Sequence, residues 1–151
     1  MFGLLRSSVG VLTIILAAAP PALAQQPAPA GHVKIASGSA VIVRGNATVA
    51  ARPGQAVFAS DTLRTGDDGT VGITLKDDTR LSLGPSSEVR LERYVYAPGE
   101  GGFGMVLKFV RGVAAYVSGR IAKLAPDSIR LETPAAIVGV RGTTVAIRVE
   151  P

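Results

Sequence analysis

The chain has 151 residues, of which 47% are hydrophobic, and it contains no cysteine, no tryptophan and a single histidine. This length allows one modest domain, or one domain and a tail. The absence of cysteine excludes disulfides, a thiol nucleophile and any zinc or iron–sulfur site built on cysteine. The net charge of +5 comes mostly from single arginines, and no run of bases with interleaved aromatics marks a nucleic-acid partner.

Residues 1–24 have the three parts of a secretory signal peptide. Arg6 supplies the positive start, residues 9–19 form the apolar run, and Ala22 and Ala24 are the small residues before the cleavage site. A membrane-spanning helix needs about 20 apolar residues, and a proline pair ends this run after 11 residues. We therefore predict cleavage between Ala24 and Gln25, a periplasmic or secreted protein, and no membrane span after cleavage.

The remaining sequence is predicted to consist of a Pro/Ala linker at residues 25–31 and a β domain at residues 32–151. Large apolar residues alternate with small, polar or charged ones in four segments, at Val71/Ile73/Leu75, Leu81/Leu83, Val89/Leu91 and Val145/Ile147/Val149. Such alternation is typical of strands with one buried face. The first three sets begin eight to ten residues apart with turn residues between them, which favours an all-β sandwich, barrel or solenoid. One helical turn is expected at residues 120–124, ended by Pro126.

Residues 97–104 contain four glycines and a proline and predict a mobile loop. Tyr94 and Tyr96 precede this segment, and Phe103 lies inside it. One interpretation is an adaptable binding loop with aromatic contacts. The other is a slack hairpin connection whose tyrosines cover the edge of the core, which is the commoner arrangement.

Glycines 99, 101 and 104 formally match a dinucleotide-binding fingerprint. That site requires a helix directly after the glycines, whereas residues 105–110 have the pattern of a strand. The sequence therefore predicts no nucleotide cofactor.

The sequence also predicts no catalytic or metal centre. His32 lies at the linker boundary, where it is poorly placed for a fixed catalytic site. The acidic pairs Asp67/Asp68 and Asp77/Asp78 lack the alternating spacing of a calcium loop and are expected to cap turns. No set of nucleophile, base and orienting residue can be assembled, so we expect a protein that is not an enzyme.

Three segments over about residues 54–149 resemble the FecR domain family. The first is Asp61-Thr62-Leu63-Arg64-Thr65-Gly66, and the second is Leu75-Lys76-Asp77-Asp78-Thr79-Arg80-Leu81-Ser82-Leu83. The third and most specific is Thr133-Pro134-Ala135-Ala136-Ile137-Val138-Gly139-Val140-Arg141-Gly142-Thr143. The motif positions are Asp61, Leu63, Thr65, Gly66, Asp77, Asp78, Thr79, Pro134, Val140, Arg141, Gly142 and Thr143.

The resemblance implies a periplasmic all-β domain, shaped as a short β-solenoid or a twisted β-roll. In regulators of this family the domain receives a signal from an outer-membrane receptor and passes it to a cytoplasmic anti-sigma segment through a membrane helix. We expect only the sensing or interaction module here, without that helix and segment. The family usually has glycine at the position of Asp78, and aspartate tolerates the left-handed turn better than most residues.

The motif residues are expected to act first as fold devices, because glycine and turn residues at strand ends shape the backbone. The leading functional hypothesis is an exported interaction or signal-sensing module whose partner is an envelope receptor, sensor or secretion component. The alternative is a module that binds envelope polymer, either peptidoglycan or polysaccharide, through its arginines and aromatic loop.

Overall fold

The computed structural model describes Gly3 and residues 18–24, 26–140 and 144–151. The first six strands are β1 (Gly31–Ser37), β2 (Ala40–Arg44), β3 (Ala47–Ala50), β4 (Ala56–Val57), β5 (Thr62–Thr65) and β6 (Thr70–Leu75). They are followed by β7 (Arg80–Leu83), β8 (Glu88–Ala97), β9 (Gly102–Val117), the helix α1 (Arg120–Leu124), β10 (Ile129–Glu132), β11 (Ile137–Val138) and β12 (Thr144–Val149). Short 3₁₀ turns at Pro98–Glu100 and Pro126–Ser128 complete the described elements.

The long strand β9 is the spine of the molecule. Along one side, β7 and β8 run antiparallel to it, with Leu83 opposite Ala114 and Ala97 opposite Gly102. β9 bends at Gly112, which has a φ of +87°. A Cβ at this position would overlap Ser87 Oγ, so the bend requires glycine.

The bend divides the curled sheet into two halves that share β9. Sheet A has the strand order β4-β1-β6-β7-β9-β12 and contains the part of β9 after Gly112. Sheet B has the order β3-β2-β5-β8-β9-β10-β11 and contains the earlier part of β9. The described strand pairs are antiparallel except β9 with β10, and the result is an open half-barrel.

The core lies inside the curl, where the alternating apolar residues meet. The large residues of all four predicted alternating segments point toward the core, and their charged neighbours Arg80, Arg90, Glu92 and Arg148 are exposed. The largest fully buried side chains include Tyr116, Phe109, Ile42, Leu63, Ile73 and Leu81. The all-β prediction is thus confirmed.

The single predicted helical turn is also confirmed. α1 spans Arg120–Leu124, and Pro126 follows it. Ile121 is its buried residue and anchors it to the core.

The glycine-rich connection is shorter than the sequence suggested. β8 continues to Ala97 and β9 begins at Gly102, so the connection consists of residues 98–101. Strand pairing between β8 and β9, which includes the pair Tyr96 and Phe103, extends the hairpin into the segment that was predicted to be a loop.

The segment directly before β1 is fixed to the domain. Ala30 is buried, and its amide donates to Val57 O.

Candidate functional site

Asp61, in the first motif, is a buried carboxylate with three donors around it. Arg44 Nε donates to its Oδ1 at 2.9 Å, and Arg44 Nη2 donates to its Oδ2 at 2.7 Å. The amide of Phe58 also donates to Oδ2, at 2.8 Å. The hydrogen bonds to Asp61 raise the pKa of Arg44 further above its already high value. This two-pronged ion pair fixes the end of β2 against the segment that precedes β5.

A surface cavity of about 440 Å³ lies beside this ion pair. Its lining includes Arg44, Phe58, Ser60 and Asp61, together with Gln26 and Pro27 of the linker. The guanidinium carbon of Arg44 lies 4.4 Å from the ring centre of Phe58, within the range of a cation–π contact. The Arg44 guanidinium is therefore fixed by both the Asp61 carboxylate and the Phe58 ring.

Thr65 joins the first motif to the corner of β9. Its Oγ1 donates to Gly84 O at 2.7 Å and accepts from the amide of Ser87 at 2.9 Å. Ser87 Oγ in turn accepts from the amide of Val113, directly after the bend. Leu63 is buried in the core, and the amide of Gly66 donates to Ser39 O.

Asp77, in the second motif, is fully buried, and its carboxylate accepts four hydrogen bonds. Its Oδ1 accepts from Tyr94 Oη at 2.9 Å and from the amide of Thr79 at 3.3 Å. Its Oδ2 accepts from Thr79 Oγ1 at 2.7 Å and from the amide of Ile121 at 3.2 Å. One side chain therefore joins the β6–β7 turn, strand β8 and the start of α1.

Tyr94 completes this network in both directions. Its Oη donates to Asp77 Oδ1 and accepts from the Asp77 amide, each at 2.9 Å. Burial raises the pKa of Tyr94 far above its usual value, and the negative charge of Asp77 adds to the increase. The phenol is thereby kept neutral, as a donor to the carboxylate requires.

The remaining acidic residues of the turns also bind within the protein. Asp78 has a φ of +68°, which confirms the left-handed turn expected there, and its Oδ2 lies 3.1 Å from Arg120 Nε. Asp67 Oδ1 accepts from Ser86 Oγ, and Asp68 Oδ1 accepts from the amide of Ser39. Among the residues that the structure describes, no group of three His, Asp or Glu side chains could hold a metal ion.

The third motif is described only up to Val140. Thr133 Oγ1 accepts from the amides of Ala135 and Ala136, which closes the turn that contains Pro134. Val140 is buried at 3% exposure and borders a cavity of about 330 Å³. Arg141, Gly142 and Thr143 lie outside the described residues.

The aromatic residues proposed for a binding loop lie on the β8–β9 hairpin. The rings of Tyr96 and Phe103 are 6.2 Å apart at an angle of 51°. Tyr94, Tyr96 and Phe103 are half-buried and pack against the core. Tyr94 and Tyr96 also border a small cavity of about 130 Å³ with residues 28–30.

The structure separates the other sequence candidates from these networks. His32 is an exposed residue of β1 opposite Thr74. Gly99 lies in the 3₁₀ turn and Gly104 in β9, so no helix N-terminus follows the glycine pattern.

Sequence reasoning missed Arg44 and Ser87, the partners of Asp61 and Thr65. Arg44 lies 17 residues before Asp61, and Ser87 lies 22 residues after Thr65. No local pattern connects such positions. Sequence reasoning also missed that one edge of the sheet is formed by β12.

The motif turns thus carry hydrogen bonds that join distant segments of the curled sheet. The FecR protein family matches residues 61–151, more than half of the chain. The chain belongs to the FecR protein family. No curated protein and no solved structure gave a significant match.

Membership in the FecR family indicates a regulatory domain. The family is one of signalling proteins rather than enzymes, it interacts with envelope proteins, and FecR domains are typically periplasmic. In the described part of this FecR protein, no helix is both long and apolar enough to span a membrane.

Proposed function

We propose that this FecR protein is an exported, non-enzymatic interaction or signal-sensing module that binds an envelope protein through the free edge of β12. The main support for this proposal is the position of β12 as an edge strand of sheet A. Among the described strands, β12 pairs only with β9. An edge strand leaves one row of backbone N–H and C=O groups without strand partners, and an incoming strand can pair with them.

The outer face beside this edge suits an added strand. Register places Gly72, Ser82, Ala115 and Ala146 side by side on neighbouring strands. Ile35, which is 65% exposed, lies over Gly72. Ile35, Ser82, Ala115 and Ala146 line a shallow, mostly apolar cavity of about 380 Å³, which could receive an apolar side chain from the partner strand.

The signal-peptide pattern at residues 1–24 and the usual location of the family support the proposed export. The partner would then be a receptor, a sensor or a secretion component of the envelope. Signal sensing would consist of a change in the occupancy of the β12 edge. The proposed strand contact requires no cofactor.

The test is site-specific photo-crosslinking in cells that express the full chain with a C-terminal tag. A photoreactive amino acid at Ala146, an exposed position of β12, reports on the edge. The matched control carries the same group at Asn46, in the exposed β2–β3 turn. We expect a specific protein adduct from position 146 and little or none from position 46.

The other outcomes overturn the proposal. Equal adducts from both positions would place the contact elsewhere, and adducts only to wall fragments would favour the polymer-binding alternative. Absence of any protein adduct under every growth condition tested would contradict the interaction module itself.

A further inference from the structure

The outer face of sheet B carries most of the net charge of residues 25–151. Strand alternation places six exposed basic residues there, Arg64, Arg90, Arg93, Lys108, Arg111 and Arg130. We call this set the cationic face. Three acids, Glu88, Glu92 and Glu132, share the surface, so its net charge is +3. Residues 25–151 have 15 basic and 11 acidic residues and a net charge of +4, so the rest of the body is nearly neutral.

The strand register concentrates these charges around Val106. Arg90 on β8 lies directly opposite Lys108 on β9, an arrangement that is destabilising for like charges. Arg93 and Arg130 lie opposite Val106 from its two neighbouring strands. Since neighbouring strands are about 4.8 Å apart and the rise per residue is about 3.3 Å, the Cα atoms of these four residues lie within roughly 12 Å of one another.

The acids on this surface neutralise only part of the charge, although Glu132 lies opposite Lys108 and Glu88 lies opposite Arg111. Arg64 Nη2 lies 2.6 Å from Glu88 Oε1, and Arg90 Nε lies 4.0 Å from Glu92 Oε1. Among the described residues, the side chains of Arg93, Lys108, Arg111 and Arg130 have no acidic partner within 4.0 Å. Binding of an external anion would therefore relieve the repulsion among these cations.

We propose that the cationic face binds an acidic polysaccharide, a hydrated chain with repeated carboxylates. Arginine guanidinium groups match the geometry of carboxylates, and rows of cations on adjacent strands match repeated charge on a linear polymer. The face belongs to sheet B and β12 to sheet A, so this binding goes beyond the proposed partner contact and can be tested separately.

The uncharged residues of the cationic face favour a hydrated polymer over other anions. On the surface around it they include half-buried Val43, Thr62 and Val106, Val110 at 38% exposure, and Ile137 of β11, opposite Glu132, at 68% exposure. Anchoring on a lipid surface uses exposed Trp, Phe or Leu that enter the bilayer boundary. Binding of single-stranded nucleic acid uses exposed aromatic rings on which bases stack. Among the described residues around the cationic face, no Trp, Phe, Leu or aromatic ring is exposed, and of the apolar side chains only Ile137 on the edge strand is more than half exposed.

The test compares two triple variants of the full exported protein that lose the same charge. The first carries Arg93→Gln, Lys108→Gln and Arg130→Gln on the cationic face. The control carries Lys34→Gln, Arg80→Gln and Lys123→Gln, which are exposed positions outside that face. The probe is a fluorescent oligogalacturonate, with affinity read by anisotropy at about 0.05 M and about 0.5 M salt.

We expect the face variant to bind the oligogalacturonate at least about tenfold more weakly at low salt, because it loses three direct charge contacts. The control should change affinity by no more than about twofold to threefold through the general field. Unchanged thermal unfolding of both variants would separate this loss from misfolding.

Three results would overturn the proposal. The first is no binding by the unmodified protein at low salt, and the second is an equal loss in both triple variants. The third is binding to vesicles of anionic and zwitterionic phospholipid without binding to oligogalacturonate, which would identify a lipid surface as the partner.

Discussion

At the residue scale, the motif carboxylates act as hydrogen-bond acceptors inside the fold. Asp61 and Asp77 are 1% and 0% exposed, yet each is surrounded by donors from distant segments. A buried carboxylate is costly unless its lone pairs are satisfied. We infer that each carboxylate stabilises the fold by joining turns that strand pairing alone does not connect.

The first prediction concerns Asp77→Asn. The amide nitrogen of asparagine would turn a donor toward groups that are themselves donors, such as Thr79 Oγ1 or the amide of Ile121. We expect the free energy of unfolding to fall by about 2–3 kcal/mol, measured by urea denaturation. The neighbouring exposed variant Asp78→Asn is the control and should change it by less than about 0.5 kcal/mol. Similar losses in both would contradict a role for the buried network.

The second prediction is a pH dependence that comes from Tyr94. Burial raises its pKa in the folded state, whereas unfolded tyrosine has a pKa of about 10. Below that pH both states keep the proton and the stabilisation is complete. As the pH rises above about 10, only the unfolded state loses the proton, and the free energy of unfolding falls by up to about 1.4 kcal/mol per pH unit.

Tyr94→Phe tests this assignment. The variant should be less stable than the unmodified chain at pH about 8, because it lacks the hydroxyl. The difference should shrink as the pH is raised toward about 11, in urea titrations of both proteins. A difference that stays constant with pH would contradict the assignment.

At the element scale, the bend of β9 allows one strand to serve both sheets. Gly112 is at the bend, and Ser87 of the β7–β8 turn packs where its side chain would be. Ser87 Oγ accepts from the amide of Val113, so the same serine holds the strand after the bend. Glycine and serine together therefore form the corner of the half-barrel.

The third prediction is that Gly112→Ala destabilises this corner strongly. The new methyl group would meet Ser87, and alanine would be forced to a positive φ. We expect a loss of at least about 2–3 kcal/mol in the free energy of unfolding. Gly99→Ala is the matched control, since a Cβ at Gly99 meets nothing within 4 Å. Unfolding midpoints of the two variants that coincide would show that the bend tolerates a side chain.

The fourth prediction concerns the edge of sheet A. Ala146→Lys places a charged, flexible side chain on the outer face of β12, a change that discourages the pairing of a further strand. We expect the yield of partner adducts captured at β12, with the crosslinker moved to Thr144, to fall about tenfold. Thr48→Lys on β3, at the end of sheet B, should leave the yield unchanged. An undiminished yield from Ala146→Lys would exclude β12 as the site of contact.

At the scale of the whole molecule, the two outer faces differ in chemistry. Around Ala146 of β12, sheet A presents small and apolar residues flanked by exposed Arg80 and Arg148, whereas sheet B presents the cationic face. The inner faces of both halves are filled by one apolar core. One curled sheet can therefore offer two chemically distinct surfaces, one suited to a strand and the other to a polyanion.

The fifth prediction is made for the exported protein as a whole. The mature chain should begin at Gln25, because the small residues Ala22 and Ala24 precede the expected cleavage site. Intact mass and N-terminal peptide mapping of the protein from the periplasmic fraction would measure this. A chain that keeps Met1 would contradict the export on which the proposed function rests.

The all-β class, the inward-facing residues and the family could be predicted from the amino-acid sequence. These properties depend on local chemistry, since alternation selects which side of a strand is buried and turn residues separate the strands. The turn at Asp78 could also be predicted, because it depends on the backbone angle of that residue itself.

Which residues act together depends on the tertiary structure. Arg44 meets Asp61 and Ser87 meets Thr65 because the sheet curls, and Arg90 meets Lys108 because of the register between β8 and β9. A shift by one residue in that register would turn one of these cations toward the core. The β12 edge and the cationic face depend on strand order and pairing, which are long-range properties that no local pattern encodes.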